Sequence, residues 1–254
     1  MEKTAAHKPA DTDEARKAEL VIASHLLVDR EVLDSFGHIS VRSASNPKTF
    51  FMPRAMPPAL VQLEDIIAIS VETGERIDPH APRPNGERYI HSETYKARPD
   101  VECVIHSHAM AVLPFGVAGV PLQPVIAQAG FLPPQTPVFE IRDAWGPAAE
   151  KRGVQVRSRE HAAALAKVLG AAPAVILRGH GHDIVGDSIR RAVVRAVYIN
   201  INATVQMDAL RLGAGKIIPL DQKEIDYNEI ENFDVDRPWD NFVRIMKEKD
   251  AGRR

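Results

Sequence analysis

The sequence is almost free of cysteine: Cys103 is the only one in 254 residues. No internal disulfide can form, and no thiolate cluster can be built. That suits a reducing compartment, and a cytoplasmic location is expected. An excess of either charge is also lacking. Lys and Arg number 32 against 34 Asp and Glu, for a net charge of -2. Neither a nucleic acid nor an anionic membrane surface is an expected partner. Long hydrophobic runs are missing too. The most apolar stretch, Ala109 to Ala127, is broken by Pro114, Pro121 and Pro124 and makes a poor transmembrane helix. The opening residues, MEKTAAHKPADTDEARK, are polar and hold no signal-peptide core. No internal repeat, low-complexity segment or domain linker stands out.

What is present is ordinary for a globular chain. With 44% hydrophobic and 26% charged residues, one core of normal size can be buried. A flexible tail is expected at residues 1–12, then a single domain over 13–254 with a helical C-terminal extension. Leu20, Ala23, Ser24 and Leu27 recur at helical spacing, predicting a helix from about Asp13 to about Asp34. HISVR (38–42) alternates like a strand, TFFM (49–52) reads as its partner, and IIAISV (66–71) as a buried strand. Asn85 is placed to cap a helix reaching about Ala97. VECVIHSH (101–108) is rich in β-formers; a helix near 109–118 and a short strand at 136–141 follow. Ser158 caps a helix over 159–170. AVILRGHGHDIVG (174–186) reads as a hairpin turned by glycines, and Asp187 or Ser188 caps a long helix to about Leu212. Strands and helices mix without regular βαβ repetition. A mostly antiparallel sheet between helical layers is therefore expected.

The histidines carry the chemistry. His106 and His108 are two apart at a strand end, so both imidazoles point to one face and can reach one ion at about 2 Å. RGHGHD (178–183) adds His180 and His182, with glycines on both sides of His180 that allow a sharp turn or a close approach. Either can be the third ligand. Three imidazoles and an open position form a catalytic rather than a structural arrangement. Glu87, in the first turn of the helix before the H-x-H strand, is the carboxylate to join them, as ligand or as general acid/base. His91, one turn on, is expected to support the site. The ligand set suits one divalent metal ion per subunit, with zinc first and manganese, iron or cobalt also suitable.

NGERYIHSETYKARPDVECVIHSHAMAV followed by VILRGHGHDIVG resembles the class II aldolase/adducin family, over roughly Ala15 to Met207. The order of motifs carries the resemblance: a glutamate, then H-x-H, then H-G after a later strand. It implies a three-layer α/β/α sandwich with a central, mainly antiparallel sheet. It also implies homotetramers with active sites between subunits. By resemblance, Glu87 is the catalytic glutamate, His106 and His108 are metal ligands, and His180 rather than His182 is the third.

The departures change the expected reaction. The sugar-phosphate aldolases of the family carry G-N-x-S where this chain has Gly37-His38-Ile39-Ser40. They carry Thr/Ser-Pro-Ser/Thr-Gly where it has Met52-Pro53-Arg54-Ala55. No tyrosine lies between Gln123 and Gly130, where the aldolases often place one. SFGHISVR and ILRGHG instead resemble the branch of 3,4-dihydroxyphthalate and hydroxy-carboxymuconate semialdehyde decarboxylases. The resemblance implies a lyase that removes carbon dioxide from a hydroxylated aromatic or ring-cleaved carboxylate through an enolate. Glu87 or His38 would supply the proton. Arg54, Arg178 and Ser40 are assigned to the substrate, the arginines because their planar forks match a carboxylate. The alternatives are an aldolase or dehydratase using the same metal, and a non-catalytic interaction module lacking the full ligand set. Arg190, Arg191 and Arg195 are expected on a solvated or subunit-contacting helix face, and Tyr198, Trp145 and Trp239 in packing. Residues 221–245, with Tyr227, Phe233, Trp239 and Phe242, are expected to lie over a neighbouring subunit's site.

Overall fold

The computed structural model describes residues 12–145, 153–231 and 234–252. The tail expected at 1–12 lies, but for Thr12, outside the described residues, as does Phe233. Helix α1 (Asp13–Asp29) starts because the Thr12 hydroxyl accepts the Ala15 amide, with Asp13 and Glu14 in its first turn. Strands β1 (His38–Arg42), β2 (Thr49–Pro53) and β3 (Ile66–Ser70) follow, then helix α2 (Arg88–Ala97). Next come β4 (Cys103–Ser107), α3 (Leu113–Val117), β5 (Val138–Phe139), α4 (Arg159–Leu169), β6 (Ala174–Leu177) and β7 (Gly181–Gly186). Helix α5 (Ile189–Leu212) is capped by Ser188, whose hydroxyl accepts the Arg191 amide. Helices α6 (Gln222–Glu231) and α7 (Asp236–Gly252) end the chain.

The seven strands form one sheet in the order β3-β2-β1-β4-β7-β6-β5. Every pairing is antiparallel except β5 with β6. Helices cover both faces, because alternate strand residues feed two separate cores. Ile39, Val41, Phe51, Cys103, Ile105 and Ile184 pack on the side of α1, α5 and α7. Phe50, Met52, Val104, Val175, Leu177 and Val185 pack on the side of α2 and α4. This is the three-layer sandwich with a mainly antiparallel sheet. Among the described residues, no helix is long and apolar enough to cross a membrane.

Several local expectations are corrected. The strand expected at 136–141 shrinks to two residues, and the helix near 109–118 to five. Pro134, Pro137, Pro114 and Pro121 limit both. The alternation in HISVR does not give one wet face: all five residues are buried. Arg42, on the polar side, is buried and donates to the carbonyls of Tyr95 and Arg98, closing the end of α2. Of the residues expected over a neighbouring subunit, Trp239 and Phe242 pack into this chain's own core, as the packing role expected of Trp239 requires, while Tyr227 is exposed. Arg190 is not a solvated charge either; it ties Glu19 on α1 to Asp236 on α7.

Candidate metal centre

The site lies at one end of the sheet, on the α2/α4 side. Strand register sets a polar row across three strands: His38 on β1 opposes His106 on β4, which opposes Asp183 on β7. His108 lies just beyond β4, and its parity with His106 brings the two Nε2 atoms to 3.0 Å.

The hairpin between β6 and β7 brings in the third imidazole. Gly179 turns with φ +65, a conformation L residues rarely adopt. Gly181 passes so close to β4 that a Cβ would sit 2.4 Å from the Ser107 carbonyl oxygen. His180, between these glycines, therefore comes against the other two, with ring centroids 4.8 Å from His106 and 5.3 Å from His108. His182 projects from the opposite face of β7. It is fully buried, and neither ring nitrogen has a hydrogen-bond partner among the described residues.

Glu87 occupies the cap position of α2 rather than its first turn, and its side chain makes no cap bond. Asn85 instead accepts the Glu87 amide at 2.9 Å. The freed carboxylate lies 3.4 Å from His180 Nε2 and 3.9 Å from His106 Nε2, while Oε1 accepts the Val156 amide. One donor atom each from Glu87, His106, His108 and His180 fall within 4.8 Å of one another. Donors bound at about 2 Å to a shared ion must cluster on this scale.

Two more carboxylates orient the ligands. His106 donates from Nδ1 to Asp183 at 2.6 Å, and His108 from Nδ1 to Asp34 at 3.2 Å. Asp34 is itself held by the Phe36 and Gly37 amides. Nδ1 being protonated, each ring turns a bare Nε2 into the cluster, the tautomer a metal ligand needs. Among the described residues, no Lys or Arg pairs with Glu87 or Asp183. Burial pushes Asp183 well above the usual carboxyl range and His106 down to about 3. Burial also opposes the Glu87 charge, but the His180 hydrogen bond and the neighbouring rings hold that carboxyl below its ordinary range. A negative, desolvated pocket without a side-chain cation, lined by bare imidazole nitrogens, fits a divalent metal ion.

The remaining predicted residues divide. His38 stacks on His106 at 5.0 Å between centroids, inside the site. Ser40 is corrected: it is fully buried behind His91, and its hydroxyl is bonded to His91 and Tyr95. It is sealed from any substrate. Arg178 is paired with Glu140, and Arg54 is held at Nε by Asp65 at 2.7 Å. The arginine forks are therefore partly occupied. Asp34, Asp183 and Tyr95 escaped sequence reading. Asp183 was visible only as an acid at the same strand parity as the row; Asp34 and Tyr95 gave no usable signal.

A profile of the Class II Aldolase and Adducin N-terminal domain matches residues 18–207. The chain belongs to the class II aldolase/adducin family. Among its relatives it is similar to the decarboxylase tropJ of Talaromyces stipitatus, 34% identical over 88% of this chain and 91% of that one. It is also similar to 3,4-dihydroxyphthalate decarboxylase of Arthrobacter keyseri, 30% identical over 78% and 80%. Among solved structures, L-fuculose 1-phosphate aldolase from Glaciozyma antarctica PI12 shares the fold, with a TM-score of 0.74 at 21% identity over 96% of both chains.

Proposed function

We propose that this chain is a metal-dependent, non-oxidative decarboxylase of a hydroxylated aromatic carboxylate, of the dihydroxyphthalate or dihydroxybenzoate type, or of a ring-cleaved hydroxy carboxylate. The convergence of Glu87, His106, His108 and His180 on one point carries the reading. Relatives named as decarboxylases, at 30% and 34% identity, support the choice of reaction. A complete ligand set argues against a non-catalytic module.

The three imidazoles and Glu87 would hold the ion, zinc being our first assignment. A bound divalent cation supplies Lewis acidity, which lowers the cost of negative charge on a substrate oxygen. Glu87, ionised at neutral pH, takes the proton of the substrate hydroxyl and passes it to the carbon that bears the carboxylate. The carbon–carboxylate bond then breaks, and its electron pair returns to the oxygen as carbon dioxide leaves. His38 is the second residue within reach of the reacting atoms. Arg54, 40% exposed at its side chain, is assigned to a second substrate carboxylate. Its backbone bridges to Pro84, three residues before Glu87. We further assign a homotetramer with sites between subunits.

The test is carbon dioxide release from a panel of dihydroxyphthalates and hydroxybenzoates, with and without added metal. Metal-stimulated release is expected. Aldehyde release from a sugar phosphate, with no carbon dioxide from any acid in the panel, would replace this reading by an aldolase.

A further inference from the structure

Behind the metal ligands runs a buried chain of four polar side chains. His38 Nδ1 lies 2.7 Å from His91 Nε2, and His91 Nδ1 lies 2.6 Å from the Ser40 hydroxyl. Ser40 lies 2.7 Å from the Tyr95 hydroxyl. Tyr95 has one further acceptor, the Glu102 carbonyl, at 3.5 Å. None of these side chains is a metal ligand. Ser40, His91 and Tyr95 are at most 1% exposed.

The direction of the chain follows from counting hydrogens. Each neutral member has one hydrogen to give, and three links join the four members. The fourth hydrogen must therefore sit at one end: on Tyr95 toward Glu102, or on His38 Nε2. Good O–H···O bonds span about 2.5–3.0 Å. The Glu102 carbonyl is too far, so Tyr95 donates to Ser40. Ser40 then gives its only hydrogen to His91 Nδ1. His91, protonated on Nε2, donates to His38 Nδ1. The hydrogen of His38 is left on Nε2. Both rings are neutral: each is buried, and among the described residues no carboxylate bonds to a nitrogen of either ring.

We propose that Tyr95, Ser40 and His91 are positioning residues that lock His38 as a neutral Nε2–H donor to an anionic oxygen of the substrate. The Nε2 atom is buried and has no partner among the described residues, although its ring lies against His106. A buried N–H without an acceptor is costly, so a group from outside the chain is its natural complement. A carboxylate or a developing phenolate has the right charge. The same lock makes His38 a poor proton source. Giving up the proton would leave an imidazolate, or, if hydrogens shifted along the chain, a tyrosinate at Tyr95. Burial raises the Tyr95 phenol well above its usual range, which closes that route. Proton delivery thus falls to Glu87, and His38 polarises, as a neutral imidazole can. This assignment of a role rests on the decarboxylase reading; the tautomer does not.

The test is long-range ¹H–¹⁵N correlation on the full-length, zinc-loaded protein labelled with ¹⁵N-histidine, with His38→Gln identifying the His38 signals. The expected result is protonated Nε2 and bare Nδ1 on both His38 and His91. In Ser40→Ala the two rings become tautomer mixtures at unchanged zinc content. The kcat for carbon dioxide release falls roughly tenfold to a hundredfold with little change in KM, short of the 10²–10³ that loss of an oxyanion donor itself costs. Ser40→Thr restores both signals and rate. A hydrogen on His38 Nδ1 in the wild type would overturn the proposal, as would rings unchanged in Ser40→Ala. If no acid in the panel is decarboxylated, the catalytic reading fails while the tautomer spectrum still decides the lock.

Discussion

The two faces of β1, β4 and β7 do different work with the same backbone. Toward α1 and α5 they present Ile39, Val41, Cys103, Ile105 and Ile184, an apolar layer broken only near its end, where Ser107 pairs with His182. Toward α2, the neighbouring positions present His38, Ser40, Arg42, His106 and Asp183, all buried. Removing water from the first set stabilises the fold by roughly 1.5–3 kcal/mol per large side chain. Removing water from the second costs free energy unless each polar group finds a partner. Short bonds to Tyr95, His91 and Asp183 supply most of those partners. The exceptions, such as the free Nε2 of His38, mark where a ligand completes the structure. One face secures the sheet, and the other holds it open to chemistry.

Adjacent residues can break this contrast. His106→Ala should abolish metal binding and, with the loss of several kcal/mol of charge stabilisation, cut carbon dioxide release about a thousandfold or more; bound metal and turnover are measured together. Ile105→Ala, one residue away on the other face, should instead destabilise by about 2–5 kcal/mol in denaturant melts. The folded fraction should keep its metal, and if it does not, the two faces are not independent. Asp183→Asn keeps the size of the side chain but weakens its hold on His106; metal affinity should fall about 10–100-fold.

Acid tests both faces at once, because His106 and His182 point to opposite sides. Burial lowers each to about 3, with the other ligand rings adding to the effect, so the folded state holds them neutral. The unfolded chain protonates them near 6.5. The metal-free protein should therefore be fully stabilised above pH 6.5 and weaken as pH falls toward 3, by up to about 1.4 kcal/mol per unit for each histidine. Thermal melts stepped from pH 7 to 4 check the slope. Added metal should raise stability without flattening this slope, because both histidines are already neutral in the folded state.

Local pattern made much of this architecture legible. Parity alone put His106 and His108 on one face, and the glycines around His180 announced a close approach that Gly181 makes against Ser107. The residues alone left His180 and His182 open; the family resemblance chose His180, and the hairpin gives the reason, since only the turn residue escapes the strand's strict alternation. Asp34, Asp183 and Tyr95 stayed hidden for a different reason. Each meets its partner across 50 or more residues of chain: Asp34 with His108, Asp183 with His106, Tyr95 with Ser40. Periodicity reads neighbours along an element and is blind to such pairings. Ser40 shows the reverse error: a motif position suggested contact with substrate, and only the packing of α2 put His91 in the way.

The lone cysteine also has a use at the bench. Cys103 is fully buried in the apolar layer, and burial pushes its thiol well above the ordinary range. Thiol reagents will find it inert in the folded protein. Met110, two residues past His108, is 79% exposed. A cysteine placed there would be the single addressable thiol of the molecule, so a dye or spin label could watch the mouth of the site without any background to subtract.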